Sequence, residues 1–269
     1  MSDLHRKLAP ITDAAWREID AEAARVLRTS LAARRLVDFI GPLGWQASAV
    51  HLGRTEAPVK ADAVEIARRK VLPLSEFRVD FALKRSEVSA IDRGARDADL
   101  GAVQEAAQAI ALAEDRAIFN GSAPAGIEGI IPAATNAALR IEPDYVNYPS
   151  VVARALTVLR NEGIGGKIGL ALGPRCFTGL SETTVGGYPV LEHVRRLVEG
   201  PIVHAPAVNG AVVIALRGDD YALTVGRDFS IGYADHDKDV VRLYLCESFT
   251  FQVLTPEAAV PLTYPATGS

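Results

Sequence analysis

The chain has 269 residues, 49% of them hydrophobic, with a formal net charge of −4 and two cysteines. That length and apolar content allow one large or two modest domains with a substantial core, and they argue against disorder. The charge leaves no basic footprint for nucleic acid and no polybasic patch for a membrane surface, and Cys176 and Cys246 are too isolated for a disulfide framework or a zinc site.

Two isolated cysteines fit a reducing cytosol. No apolar run follows the basic residues between Met1 and Lys7, so no secretory signal is expected. No stretch approaches the roughly 18 to 20 apolar residues of a membrane span. A soluble, cytoplasmic protein is the expectation.

Residues 8–45 read as one long amphipathic helix, entered through Pro10, capped by Thr12 or Asp13 and stopped by Gly41 and Pro42. At about 100° per residue, Trp16, Ile19, Ala23, Val26, Leu27, Ser30, Ala33 and Val37 share one side, opposite Arg17, Arg25, Arg28 and Arg35. Leu27, Leu31, Arg34 and Asp38 form a row at one edge of the apolar side. That row is either core or a face turned to something else.

Residues 46–60 carry short strand-like pieces, and residues 74–83 alternate, with Phe77, Val79, Phe81 and Leu83 on one side and Arg78, Asp80 and Ala82 on the other. With a polar, basic tip from Ala61 to Lys70, they predict a long two-stranded arm. An isolated hairpin is marginal in water, so such an arm needs a surface to lie on, in its own domain or in another subunit.

Ser86 begins a short helix ending near Gly94. Asp99 is placed to cap a longer one from Leu100 to Asn120, closed by Gly121. Its Glu114 and Asp115 point about 100° apart and do not converge on one ion, which leaves them as a solvated or interfacial pair. From Pro132 to Arg217 helices and strands alternate: a helix over 150–161, a strand over 168–172, a helix over 190–198 entered through Pro189, and a strand over 211–216. A compact α/β domain inserted in the chain is expected there. Between Phe177 and Tyr188 a run of small polar residues with Gly186 and Gly187 reads as a surface loop. Strands return over 221–226, 229–233 and 240–253, and after Pro256 the chain thins into a tail ending in TYPATGS.

Little here selects catalysis. Gly121 to Gly126 lacks the Lys-Ser/Thr of a phosphate loop, and Gly179, Leu180 and Ser181 do not make a nucleophile elbow. The run Asp235, His236, Asp237, Lys238, Asp239 is the best metal candidate, but His51, His193 and His204 are scattered and a solvated turn is the expected form.

Several separate motifs, in order, resemble those of one family. The N-terminal helix, the run Glu114, Asp115, Ile118, Phe119, Gly121, Gly126, Ile127, Gly129, Ile130, and the segments GRDFSIGYADHDKD and VRLYLCESFTFQV are similar to the encapsulins. These are nanocompartment shell proteins related to the tailed-phage major capsid proteins. The resemblance spans roughly residues 4–262 and implies an α+β fold of the tailed-phage major-capsid type (Hong Kong-type), with a peripheral domain, an extended loop and an axial domain.

It divides the chain into a cargo-facing helix over 1–45, an extended β-arm over 46–84, a spine helix over 85–131, an axial α/β domain with a pore loop over 132–220, and closing strands of the peripheral domain with a tail over 221–269. It further implies a non-enzymatic shell protein that self-assembles into a hollow icosahedral compartment. Icosahedral closure requires a multiple of about 60 subunits, and the chain's length resembles that of family members forming the smallest shell, so the 60-subunit shell is the expected size. The cargo would be an enzyme such as a dye-decolourising peroxidase or a ferritin-like protein, held through a short C-terminal targeting peptide.

By the same resemblance, Leu27, Leu31, Arg34 and Asp38, approached by Asp228, Phe229, Ile231 and Tyr233, would form the cargo groove. Glu182, Thr183, Thr184, Val185, Gly186, Gly187 and Tyr188 would line a pore at the fivefold axis. Some encapsulins stack a flavin on a tryptophan after the arm strand. The matching stretch here, LKRSEVS with Arg85 and Ser86, has no aromatic residue, so no cofactor, flavin or metal is expected. Two alternatives share part of this pattern. A phage major capsid protein has the same fold but favours a basic inner face and a scaffold-like leader, and an α/β enzyme needs a convergent polar pocket.

Overall fold

The computed structural model describes residues 3–265, so residues 266–269 of the expected tail lie outside the described residues. The N-terminal helix α1 runs Asp13–Ser30, and the Thr12 side chain caps it by accepting from the Ala15 amide at 3.2 Å. It buries Ala15, Trp16, Ile19, Ala23, Val26 and Leu27. The expected helix over 8–45 is therefore too long. Leu31 is the extended C-cap, residues 33–35 form a 3-10 turn, and Asp38–Ile40 are strand β1.

The stop has a tertiary cause. The buried Asp115 carboxylate accepts from the Ala32 amide at 3.0 Å and the Ala33 amide at 2.9 Å, groups that a continuing helix would need for its own ladder. Leu27, Leu31, Arg34 and Asp38 are thus not one helical row.

The arm is shorter than expected. Strand β2 (Ala49–Thr55) pairs antiparallel with β5 (Arg69–Pro73), and β3 (Val59–Ala61) with β4 (Val64–Ile66) makes the tip. The alternating stretch forms β6 (Ser75–Lys84), but it leaves the arm and pairs along its length with β15 (Val240–Val253), from Ser75 opposite Phe249 to Lys84 opposite Val240. A strand with Phe77, Val79, Phe81 and Leu83 on one face has more apolar surface to bury than a two-stranded ribbon covers.

After α2 (Arg85–Asp92), the spine helix α3 (Gly101–Asn120) ends at Gly121, at φ 83°. The Asp99 carboxylate accepts from the Gly101 amide at its start. Strand β15 organises the first sheet. It pairs with β6, with β13 (Tyr221–Val225), and with β14 (Ser230–His236), while β1 adds parallel to β13 at the edge. Helix α3 joins two cores: Val103, Ala107 and Ile110 pack with α1 and the first sheet, and Ala117, Ile118 and Phe119 pack into the second.

The second sheet follows the turn α4 (Ile130–Ala133) and has the order β11, β8, β12, β16, β7. It comprises β7 (Leu139–Arg140), β8 (Ile168–Leu172), β11 (Ile202–His204), β12 (Ala211–Ala215) and β16 (Ala259–Thr263). Helices α5 (Tyr148–Asn161), α6 (Pro174–Glu182) and α7 (Val190–Arg195) pack with it.

Two expectations change here. Residues 259–263 are not tail but an interior strand, with Ala259, Val260 and Leu262 fully buried between β12 and β7. The first half of the expected surface loop is helix α6. Only its end is a hairpin, β9 (Thr184–Val185) with β10 (Tyr188–Pro189), turned by Gly186 and Gly187 at φ 60° and 83°.

Candidate functional site: a groove beside the N-terminal helix

Between α1 and β14 lies a cavity of about 340 Å³. One wall is Asp20, Ala23, Ala24 and Leu27 from α1, and the other is Phe229, Ser230 and Ile231 with Leu245 behind. Leu4 and Arg6 of the N-terminal segment close one side. The α1 wall is one helical face at spacings of three and four. Small alanines beside Leu27 leave the space open.

Of the expected groove residues, Leu27, Phe229 and Ile231 meet here. Leu31 is half-buried against the same apolar cluster without lining the cavity, and so is Tyr233. Tyr233 donates its amide to the Leu4 carbonyl at 2.9 Å and shares a 2.6 Å hydrogen bond between its hydroxyl and His236 Nδ1. Asp38 lies elsewhere, accepting from the Asp219 amide at 2.7 Å.

Arg34 and Asp228 sit behind the groove in a charge cluster that ties the segment after α1 to the spine helix and the late strands. The Arg34 guanidinium donates to both Glu114 oxygens at 2.6 to 3.0 Å, to Asp228 at 2.8 Å and to Glu247 at 3.2 Å. It lies 4.5 Å from the centre of the Phe229 ring and 5.1 Å from that of Phe39. Burial pulls its pKa down, but Glu114 and Asp228 more than offset that, so the net shift is upward.

Glu114 and Asp115 are buried, as is Glu247, so the expected solvated or interfacial pair at Glu114 and Asp115 is replaced by two inward groups with separate partners. Their divergence follows from adjacent positions on a helix. Burial, then the neighbouring Glu114, pushes Glu247 well above the usual carboxylate range. Burial also pushes Asp115 up to about 7, against the pull of the Ala33 and Ala32 amides. Glu114 and Asp115 thus serve separate structural contacts, one to Arg34 and one to the Ala32 and Ala33 amides.

The run from Asp235 to Asp239 is a charge-paired turn. Arg242 bridges Asp235 and Asp237, and the Asp237 carboxylate accepts from the Asp239 and Val240 amides. Its pKa falls to about 2, first through those amides and then through Arg242. Among the described residues no group of His, Cys, Asp and Glu is arranged to hold a metal ion.

In the second candidate region, Glu182 ends α6 and Thr183 caps it, and the hairpin presents Val185 and Tyr188 outward, Tyr188 being 61% exposed. The Val185 carbonyl is tied to His193 Nε2 at 3.2 Å. Sequence reasoning missed Leu4, Arg6, Asp20, Ala23, Ala24 and Leu245 as groove lining. The helical positions were findable, one and two turns before Leu27, whereas the contribution of the first residues carries no periodic signal.

A family model described as encapsulating protein for peroxidase matches residues 1–250. The chain is 56% identical to the type 1 encapsulin shell protein of Rhodospirillum rubrum, over 97% of this chain and 96% of that one. It is 46% identical to the type 1 encapsulin shell protein of Mycolicibacterium paratuberculosis, over 98% of this chain and all of that one. Among solved structures it is similar to the virus-like particle from Pyrococcus furiosus, with a TM-score of 0.64 and 14% identity over 91% of this chain and 98% of that chain. A chain from Microbacterium phage Oxtober96 gives 0.61 and 13% over 88% and 91%.

Proposed function

The chain belongs to the encapsulin family, and from that premise we infer that it is a shell protein, which assembles with copies of itself into a closed capsid-like particle around a cargo protein. Its fold is that of the tailed-phage major capsid proteins. The observation that carries the function is identity of 56% to a named shell protein across nearly the whole of both chains. The phage-derived chain, at 13% identity, shares the fold alone. Residues on the chain support self-assembly too. The arm tip exposes Val59, Val64 and Ile66 on a two-stranded ribbon, apolar surface that another copy would cover.

The particle we propose is icosahedral, with about 60 copies in the smallest closed form. Its cargo is a peroxidase, as the family description suggests, with a ferritin-like protein the other candidate. The cargo's C-terminal tail lies extended in the groove between α1 and β14, its apolar side chains seated against Ala24, Leu27, Phe229 and Ile231. Two or three such anchors, at about 1.5 to 3 kcal/mol each, bind weakly alone and firmly when many sites act together. Leu31, Arg34, Asp228 and Tyr233 support the groove from behind or beside it.

The hairpin, with Glu182 and Thr183 before it, lines a pore for ions and small molecules. The shell itself is not the catalyst. Its setting is the cytoplasm, in keeping with two buried, unpaired thiols. No helix among the described residues is long and apolar enough to cross a membrane.

Negative-stain electron microscopy of the purified protein beside size exclusion tests the assembly. Uniform hollow spheres are expected. A species of one to four subunits in native buffer would overturn the shell reading.

A further inference from the structure

We propose that the N-terminal segment Asp3–Leu8 is a displaceable plug of the cargo groove, occupying the end of the β14 edge that an incoming tail would pair with. The inference rests on the groove reading above.

Strand β14 is paired on one side by β15, and its other edge faces the groove. The Tyr233 amide points to that open edge and donates to the Leu4 carbonyl at 2.9 Å. The alternation of an antiparallel ladder then places the amide and carbonyl of Ile231 on the same edge, beside the wall formed by Leu27 and Ala24. An extended tail adding along this edge runs out of room at Tyr233, where the protein's own Leu4 already sits. Strand addition gains affinity from each main-chain hydrogen bond, so removing Leu4 lengthens the site.

The segment is held in a way that suits release. None of residues 3–10 is fully buried, whereas α1 behind them buries six side chains. Its short turn Arg6–Leu8 is entered through His5 in the left-handed region, at φ 51°, which a residue with a side chain adopts reluctantly. Leu8 stands 67% exposed. The tethers are polar, and the one made by Arg6 reaches solvent. Asp3 pairs with Arg227, and Arg6 pairs with Asp20 at 2.7 Å with side chains 30% and 45% exposed. Arg6 also lies over the Trp16 ring, 3.9 Å from its centre.

A fixed wall would be anchored by a buried apolar side chain, and this segment has none. Asp20 thus serves both as latch for Arg6 and as groove wall, so a tail with a basic residue at that end would compete for the same carboxylate.

Hydrogen–deuterium exchange on shells disassembled and then reassembled with and without a synthetic peptide of a peroxidase C-terminal tail separates the possibilities. Peptide binding is expected to speed exchange in residues 3–9 while slowing it in 229–233. Slower exchange in both segments would make the segment a wall, and slowing at 229–233 with no change at 3–9 would leave it a bystander. Either overturns the plug and keeps the groove. Absence of protection at 229–233 while the peptide binds would overturn both.

As a second arm, Arg6→Ala should tighten binding of the labelled peptide in fluorescence anisotropy several-fold, and by about tenfold if the open form is populated about a tenth of the time in the wild type. Unchanged or weaker binding in that variant counts against the plug.

Discussion

Arg34 grips Glu114 with its Nε and Nη2 at 2.6 to 3.0 Å across 80 residues of sequence, and Glu114 is wholly buried. The pair joins the segment after α1 to the spine helix, and Asp228 and Glu247 extend it to the strands that form the groove's far wall. The groove's two sides are therefore mechanically one unit.

Removing the cation should be costly. Arg34→Met leaves Glu114 buried without its partner, a loss expected at about 3 to 5 kcal/mol. Thermal unfolding should fall by many degrees, and restoring neutrality with Glu114→Gln in the same chain should recover part of it. An unchanged midpoint in the single variant would show that the cluster contributes nothing to stability.

Asp115 makes stability depend on pH. Burial first, opposed by two backbone amides, raises its folded pKa to about 7 from an ordinary 3.8. The folded state thus holds the proton more tightly. The contribution is fully present below 3.8 and is lost as pH rises towards and through about 7. Glu247 acts in the same direction through its raised pKa. Asp115→Asn keeps an acceptor for the Ala32 and Ala33 amides and removes the titration. Denaturant midpoints between about pH 5 and 8 should therefore show a shallower fall in the variant. Equal slopes would sink the assignment.

The groove can be tested on a residue that is not core. Ala24 is half-buried and lines the cavity, so Ala24→Asp should leave assembly intact while co-purified peroxidase falls about tenfold or more. Leu31→Asp is a poorer probe, because Leu31 packs against the apolar cluster at the end of α1. Full cargo loading in the Ala24 variant would place the binding surface elsewhere.

Tyr188 tests the pore. It is 61% exposed on a hairpin, so Tyr188→Ala should not disturb the fold. Quenching of a fluorophore trapped inside the shell by a small solute should become faster in stopped-flow measurements. The same rate in both proteins would remove this hairpin from the entry path.

What the sequence by itself determined lies within a few residues of each signal. Thr12 caps α1, Gly121 closes the spine helix, and the alternation of Phe77, Val79, Phe81 and Leu83 is realised on one face of β6. Family motifs also carried the fold class, because they sample the whole chain. In the groove, Leu27 was legible as an apolar position on a periodic helix face, while Phe229 and Ile231 were named through the family resemblance.

The tertiary structure decided what depends on distant partners. The end of α1 is set by a carboxylate more than 80 residues away, which takes the Ala32 and Ala33 amides. Strand β6 pairs with β15 rather than with the arm, and the last apolar run before the C-terminus returns as an interior strand of the second sheet. Local periodicity says which side of an element is apolar, but a backbone amide or an apolar face is satisfied by whichever partner the folded chain brings to it.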